Sequence, residues 1–339
     1  MKLKLSSGAK KTFFRALKYT GSGLIILIIG FIVFVQLTWD KKYEAAYPEI
    51  MASRDSAIIA RGAYLANSGA HCGACHTSMN EVRLFDEGKK VDFKGGWELS
   101  FPGFGTFTGP NITPDKETGI GNFTDAQIAR SLRHGVGTDG RPLFPMMTFQ
   151  GLSDEDLTAV ISYLRTLTPI QNKVKPFDYG FMYKALLALG MIKPEGPMST
   201  PPKSVKIEPT AEYGKYLAYH VTNCRSCHTE VDMNTGEYIG KDFAGKAYFP
   251  PDEFSGGYSY VSPNLTPHPG TGIMAAWTEE QFVNRFKQGR IDKGSPMPWG
   301  SYSRMDEVEL KALYQYFQSL TPVENKIEQI VFKPGEKPE

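Results

Sequence analysis

Cys72-Gly73-Ala74-Cys75-His76 and Cys224-Arg225-Ser226-Cys227-His228 are two complete C-x-x-C-H pentapeptides, and between them they use all 4 cysteines of the chain. The pentapeptide is the attachment signature of c-type haem. Two cysteines three positions apart can form thioethers to the two vinyl groups of one porphyrin, and the next residue, a histidine, reaches the iron from the same face. Two such motifs with no cysteine left over predict two covalently bound haems c. A pair of disulfides or a four-cysteine zinc site would leave both histidines unexplained.

At 339 residues the chain has room for two ordinary domains, and its 41% apolar and 22% charged residues are those of a globular protein. The net charge of +2 says little about partners and does not point to nucleic acid. The N-terminus says more. Lys2, Lys4, Lys10, Lys11, Arg15 and Lys18 precede an uncharged apolar run from Gly23 to Leu37, and no acidic residue occurs before Asp40. Extended over 21–39, this run would span about 28 Å as a helix, close to the thickness of a hydrocarbon layer. The basic flank predicts that 1–20 is cytoplasmic and the rest lies across a bacterial cytoplasmic membrane, with Trp39 and Tyr43 in the interfacial zone. A cleaved signal peptide is the rival reading, but the run exceeds a usual signal core and Ala45-Ala46 is a weak cleavage site. A single-pass anchor with both haem motifs in the periplasm is therefore expected.

After the anchor the sequence repeats itself by landmarks. Arg61-Gly62-Ala63-Tyr64-Leu65-Ala66 leads into the first pentapeptide and Glu212-Tyr213-Gly214-Lys215-Tyr216-Leu217-Ala218 into the second. Pro110-Asn111-Ile112-Thr113-Pro114 answers Pro263-Asn264-Leu265-Thr266-Pro267, and Leu167-Thr168-Pro169 answers Leu320-Thr321-Pro322. Duplication of one haem domain gives domains at 54–169 and 209–322, a linker at 170–208 and a tail at 323–339. Within each copy the periodicity predicts helices joined by long loops: 57–67 and 210–221 before the haem motifs, short helices opened by capping boxes at Thr124/Gln127 and Thr278/Gln281, and last helices from Ser153 and Asp306. The fold class is read as all-α. In the linker, 177–192 is apolar enough for a short helix and is expected to pack between the two domains, with the membrane surface or a partner subunit as the alternative.

C-x-x-C-H supplies one iron ligand, and the residue opposite decides between electron transfer and ligand chemistry. Methionine there raises the potential and closes the site. Met297 lies 73 residues after Cys224, and Met147 lies 75 after Cys72, in loops at matching places of the two copies. The candidate iron ligands are therefore His76, Met147, His228 and Met297. Met146 competes with Met147 because Pro145 precedes it, but Phe149, matching Trp299, favours Met147. Arg133, Arg141 and Arg290 are candidates for pairing with haem propionates. Asn111 and Asn264 are expected to fix loop geometry, and His71, His134, His220 and His268 are expected at the surface or in packing.

These stretches, together with Thr118-Gly119-Ile120-Gly121 and Asp139-Gly140-Arg141-Pro142-Leu143, resemble the bacterial membrane-bound c-type cytochromes that accept electrons as subunits of alcohol and gluconate dehydrogenases. The resemblance implies tandem class I cytochrome c folds, His/Met iron, a membrane dehydrogenase or quinol-oxidising complex as donor, and an oxidase or soluble cytochrome as acceptor. It departs from that family in having two haem domains instead of three and an anchor at the N-terminus. The reading is a dihaem electron relay without catalytic residues. Its rival is a dihaem enzyme of the peroxidase or thiosulfate-oxidising type, with one iron open or lacking methionine.

Overall fold

The computed structural model describes residues 7–144, 146–232, 236–252 and 254–336. It begins with α1 (Ser7–Thr38), whose residues 11–38 are long and apolar enough to cross a membrane. The first repeat contains α2 (Ser56–Asn67), α3 (Val82–Asp86), α4 (Asp125–His134) and α5 (Asp154–Thr166), and the linker contains α6 (Phe181–Leu189). The second repeat contains α7 (Ala211–Tyr216), α8 (Cys224–Cys227), α9 (Glu279–Lys287), α10 (Trp299–Tyr302) and α11 (Glu307–Ser319).

Local signals explain where these helices begin. Asp55 caps α2 by accepting from the Ala57 N–H, and both expected capping boxes are formed, Thr124 with Gln127 and Thr278 with Gln281. Ser153 caps α5, whose first turn carries Asp154, Glu155 and Asp156 at the positive end of the macrodipole. The second motif-leading helix departs from its expected form. It is α-helical only to Tyr216 and continues over Leu217–Val221 as a π-helical turn.

In each repeat the first and last helices cross, α2 on α5 and α7 on α11. Both crossings run over a glycine. A Cβ added to Gly62 would lie 1.8 Å from the Ala159 carbonyl oxygen, and one added to Gly214 would lie 1.9 Å from that of Ala312. Only a missing side chain lets the helix backbones approach so closely. Leu65, Leu157 and Ile161 fill the first contact, and Leu217, Leu310 and Leu313 the second.

The fold is mostly helical but not all-α. Two three-stranded antiparallel sheets are present: β1 (Glu98–Phe101), β2 (Gly105–Thr108) and β3 (Asp178–Tyr179), then β4 (Tyr248–Phe249), β5 (Ser259–Val261) and β6 (Val331–Phe332). Their strands are too short to announce themselves by alternation. The third strand of each sheet returns from beyond the repeat's last helix, so the linker and the tail play equivalent parts. The apolar linker helix does not pack between the repeats. Tyr183 and Leu187 of α6 sit on Phe107 of β2, with Phe144, Phe177 and Trp39 around them, and α6 touches α1.

The repeats meet through α2, α5, α7 and α11. Arg61 donates to Asp156 Oδ1 at 2.9 Å and to Glu309 Oε1 at 3.1 Å, reaching a carboxylate from each repeat. Tyr64 donates to Glu309 and Tyr216 to Asp156, and Tyr213 donates to Glu309. The arrangement is related by an approximate two-fold: the Tyr64 oxygen accepts from the Asp306 N–H as the Tyr216 oxygen accepts from the Ser153 N–H.

Candidate haem sites

Immediately before each pentapeptide the chain turns through a left-handed residue, His71 at φ 37° and Asn223 at φ 52°. A single helical turn follows. The His76 N–H reaches the Cys72 carbonyl at 3.0 Å, and the His228 N–H reaches that of Cys224 at 2.9 Å. First cysteine and histidine are therefore four positions apart on one helical turn and share a face.

Each histidine is then fixed from behind. His76 Nδ1 lies 2.9 Å from the Pro110 carbonyl oxygen, and His228 Nδ1 lies 3.1 Å from that of Pro263. A carbonyl only accepts, so Nδ1 carries the proton and Nε2 is left with a free lone pair. Burial pushes both imidazoles below their ordinary pKa, His228 to about 4, which keeps them neutral. The backing carbonyl is positioned by a glycine. Gly95 and Gly245, at φ 74° and 80°, donate to the carbonyls of His76 and His228, and a Cβ on either would strike the proline carbonyl carbon at 2.5 and 2.6 Å.

Asn111 and Asn264 fix the loops as expected. Each side-chain oxygen accepts from the backbone and hydroxyl of the threonine two residues on, Thr113 or Thr266, while the amide donates at 2.8 Å to the Ile170 or Val323 carbonyl. The loop that carries the backing proline is thereby tied to the chain leaving the last helix.

In the second repeat a cavity of about 280 Å³ is lined by Cys224, Cys227, His228, Met297, Trp299 and Tyr302, and apolar atoms dominate its walls. The Met297 loop is held by Arg290, which donates to the Ser295 carbonyl at 2.5 Å and the Met297 carbonyl at 3.0 Å. Arg290 in turn pairs with Asp86 of the first repeat. In the first repeat Met147 is half-buried in the turn after Phe144 and Met146 is exposed, while Pro145 lies outside the described residues.

The three arginines that are candidates for propionate pairing all have protein partners. Arg133 binds the Gln150 and Leu152 carbonyls and Asp154, Arg141 pairs with Asp40 and Asp139, and Arg290 is committed as described. His71 and His220 are packed, not exposed. The His71 ring stands edge-on to Tyr302 at 5.6 Å, and His220 lies against Gly151. Asp86 leaves no local signal in the sequence because its partner, Arg290, belongs to the other repeat.

The donor set fits a covalently held haem. The four cysteines are unbridged, and no cluster of three or more metal-binding His, Cys, Asp or Glu side chains occurs among the described residues. Burial pushes the Cys72 and Cys224 thiols up to about 12 and Cys75 to about 11, far from the activated thiolate of a redox C-x-x-C. An apolar slot with paired thiols and a neutral imidazole on one side and a thioether in its wall suits a porphyrin.

Residues 59–168 match the family model described as cytochrome c. This segment belongs to that family, whose cofactor is covalently bound haem c. The chain is similar to the cytochrome c subunit of alcohol dehydrogenase (quinone) from Gluconacetobacter polyoxogenes, with 32% identity over 79% of this chain and 57% of that protein. It also resembles the fructose dehydrogenase cytochrome subunit of Gluconobacter japonicus, 26% identical over 91% of this chain and 60% of the relative. A diheme cytochrome c-type of Cereibacter sphaeroides is 29% identical over 61% and 68% of the two chains. The chain thus spans less than two thirds of the dehydrogenase subunits it matches.

Proposed function

We propose that this protein is a membrane-anchored dihaem c-type cytochrome that relays single electrons at the periplasmic face, with residues 54–169 and 209–322 as its two haem domains. Haem c, when bound, supplies a one-electron iron couple. Cys72 and Cys75 would hold one haem and Cys224 and Cys227 the other, His76 and His228 would present Nε2 to the iron, and Met147 and Met297 would supply a thioether ligand to each. The Pro110 and Pro263 carbonyls fix the imidazole tautomer and strengthen its donor nitrogen. The observation that carries this reading is the recurrence of the backed histidine and the Asn–Thr bracket in the second repeat. It argues for a second haem where the family match covers only the first.

The relatives named as dehydrogenase subunits support a membrane dehydrogenase as donor, with an oxidase or soluble cytochrome as acceptor. The apolar α1 behind a basic flank supports the anchor, N-terminus in the cytoplasm. His71 against Tyr302 supports direct exchange between the haems, because it sets the residue before Cys72 against the wall of the second cavity. Intact mass and haem-to-chain ratio of the full-length protein in mild detergent test the proposal. Two haems per chain, with no carbon monoxide binding by the native reduced form, are expected. One haem per chain would overturn the dihaem reading, and carbon monoxide uptake would favour the enzyme alternative. Purification with associated subunits identifies the donor.

A further inference from the structure

We propose that α6 is a second membrane contact, entering the outer leaflet beside α1 through Phe181, Met182, Leu189 and the following Met191. The inference rests on the reading of α1 as an anchor. Burial divides α6 by side. Tyr183, Leu187 and Ala188 are covered, whereas Phe181, Met182, Leu189 and Met191 are 40%, 50%, 54% and 59% exposed. Large apolar residues gathered on an uncovered face mark a contact surface.

Continuity with α1 identifies what covers it. The Phe181 ring meets the Phe31 ring edge-on at 6.3 Å. Phe31 precedes Trp39 by eight residues, about 12 Å along a helix axis, so its backbone lies well within the apolar span. The polar partners lie at the other level. Trp39 meets Tyr179 at 5.0 Å, Lys184 Nζ stands 4.8 Å from the Trp39 ring centroid, and Lys41 Nζ donates to the Ala188 carbonyl at 3.0 Å. Tryptophan, tyrosine and lysine at the rim with Phe181 below form the pattern of an interfacial helix: acyl chains meet the apolar side chains and lipid phosphates meet the ammonium groups. This contact would hold the first repeat, whose β2 carries α6, in one orientation on the bilayer.

The test uses the full-length protein in phospholipid nanodiscs containing a lipid with a photoactivatable diazirine on its acyl chain, with adducts mapped by peptide mass spectrometry. Adducts are expected on 181–191 as well as 24–34, and not around Ile239, which is 61% exposed in the second repeat. In M182E/L189E, labelling of 181–191 should fall while that of 24–34 persists. Labelling of 24–34 without 181–191 would overturn the inference and leave the anchor intact, whether a partner protein or water covers α6. Absence of labelling at both would refute the anchor and this contact together.

Discussion

The methionines, and the asparagines that fix the loops behind the histidines, give the sharpest residue-scale predictions. On the proposed dihaem reading, Met297→Ala should open one haem to carbon monoxide in the reduced protein and remove about half of the weak sulfur-to-iron absorption, because Met297 would be one of two thioether ligands. Met147→Ala should do the same at the other haem, and M146A should leave both unchanged. Asn111→Ala removes a buried acceptor and donor at once and leaves the Thr113 N–H and Ile170 carbonyl short of partners. Its expected cost is about 1–3 kcal/mol, read as a lowered melting temperature. The equivalent N264A should behave alike, since its contacts repeat those of Asn111.

Among elements, the crossings at Gly62 and Gly214 are the least tolerant. G62V or G214V must push the helices apart at a carbonyl less than 2 Å from the new Cβ. Overpacking of this kind typically costs about 1–3 kcal/mol or more, and chemical denaturation of the haem-loaded protein should report it. The helices themselves were largely legible, because caps such as Thr124/Gln127 are local and amphipathic spacing is visible along the chain. The sheets were not. Asp178–Tyr179 and Val331–Phe332 are strands only because β2 and β5 lie ready to pair with them, and two residues carry no periodicity of their own. The haem motifs and the Met297 loop could be read from spacing, but the hold of Asp86 on Arg290 spans 204 positions and leaves no local trace. The same limit applies to α6, whose apolar face was visible in 177–192 although its partner, α1, was not.

For the whole molecule, the junction around Arg61 is decisive. Asp156 and Glu309 are almost fully buried, and R61M would leave both carboxylates without their cation. Loss of one partner from a buried ionic group costs about 3–5 kcal/mol, so the variant should melt earlier in calorimetry. Burial, with Glu309 or Asp156 nearby, raises Tyr64, Tyr213 and Tyr216 above the ordinary tyrosine pKa. Their contribution is complete below about pH 10, where unfolded tyrosine begins to ionise, and declines as pH climbs toward the raised folded values. A steep fall of melting temperature with alkalinity is expected, shallower when the three are phenylalanine.

That junction also makes the two repeats unlike. Arg61 occupies the place that Tyr213 holds in the other copy, so a single cation serves two acids across a near-symmetric seam. Two first halves facing each other would bring two guanidiniums and two aspartates into the seam, whereas two second halves would bring their glutamates together with no counterion. The second half therefore cannot stand in for the first, and the internal symmetry survives only as an outline around a partnership of unlike members.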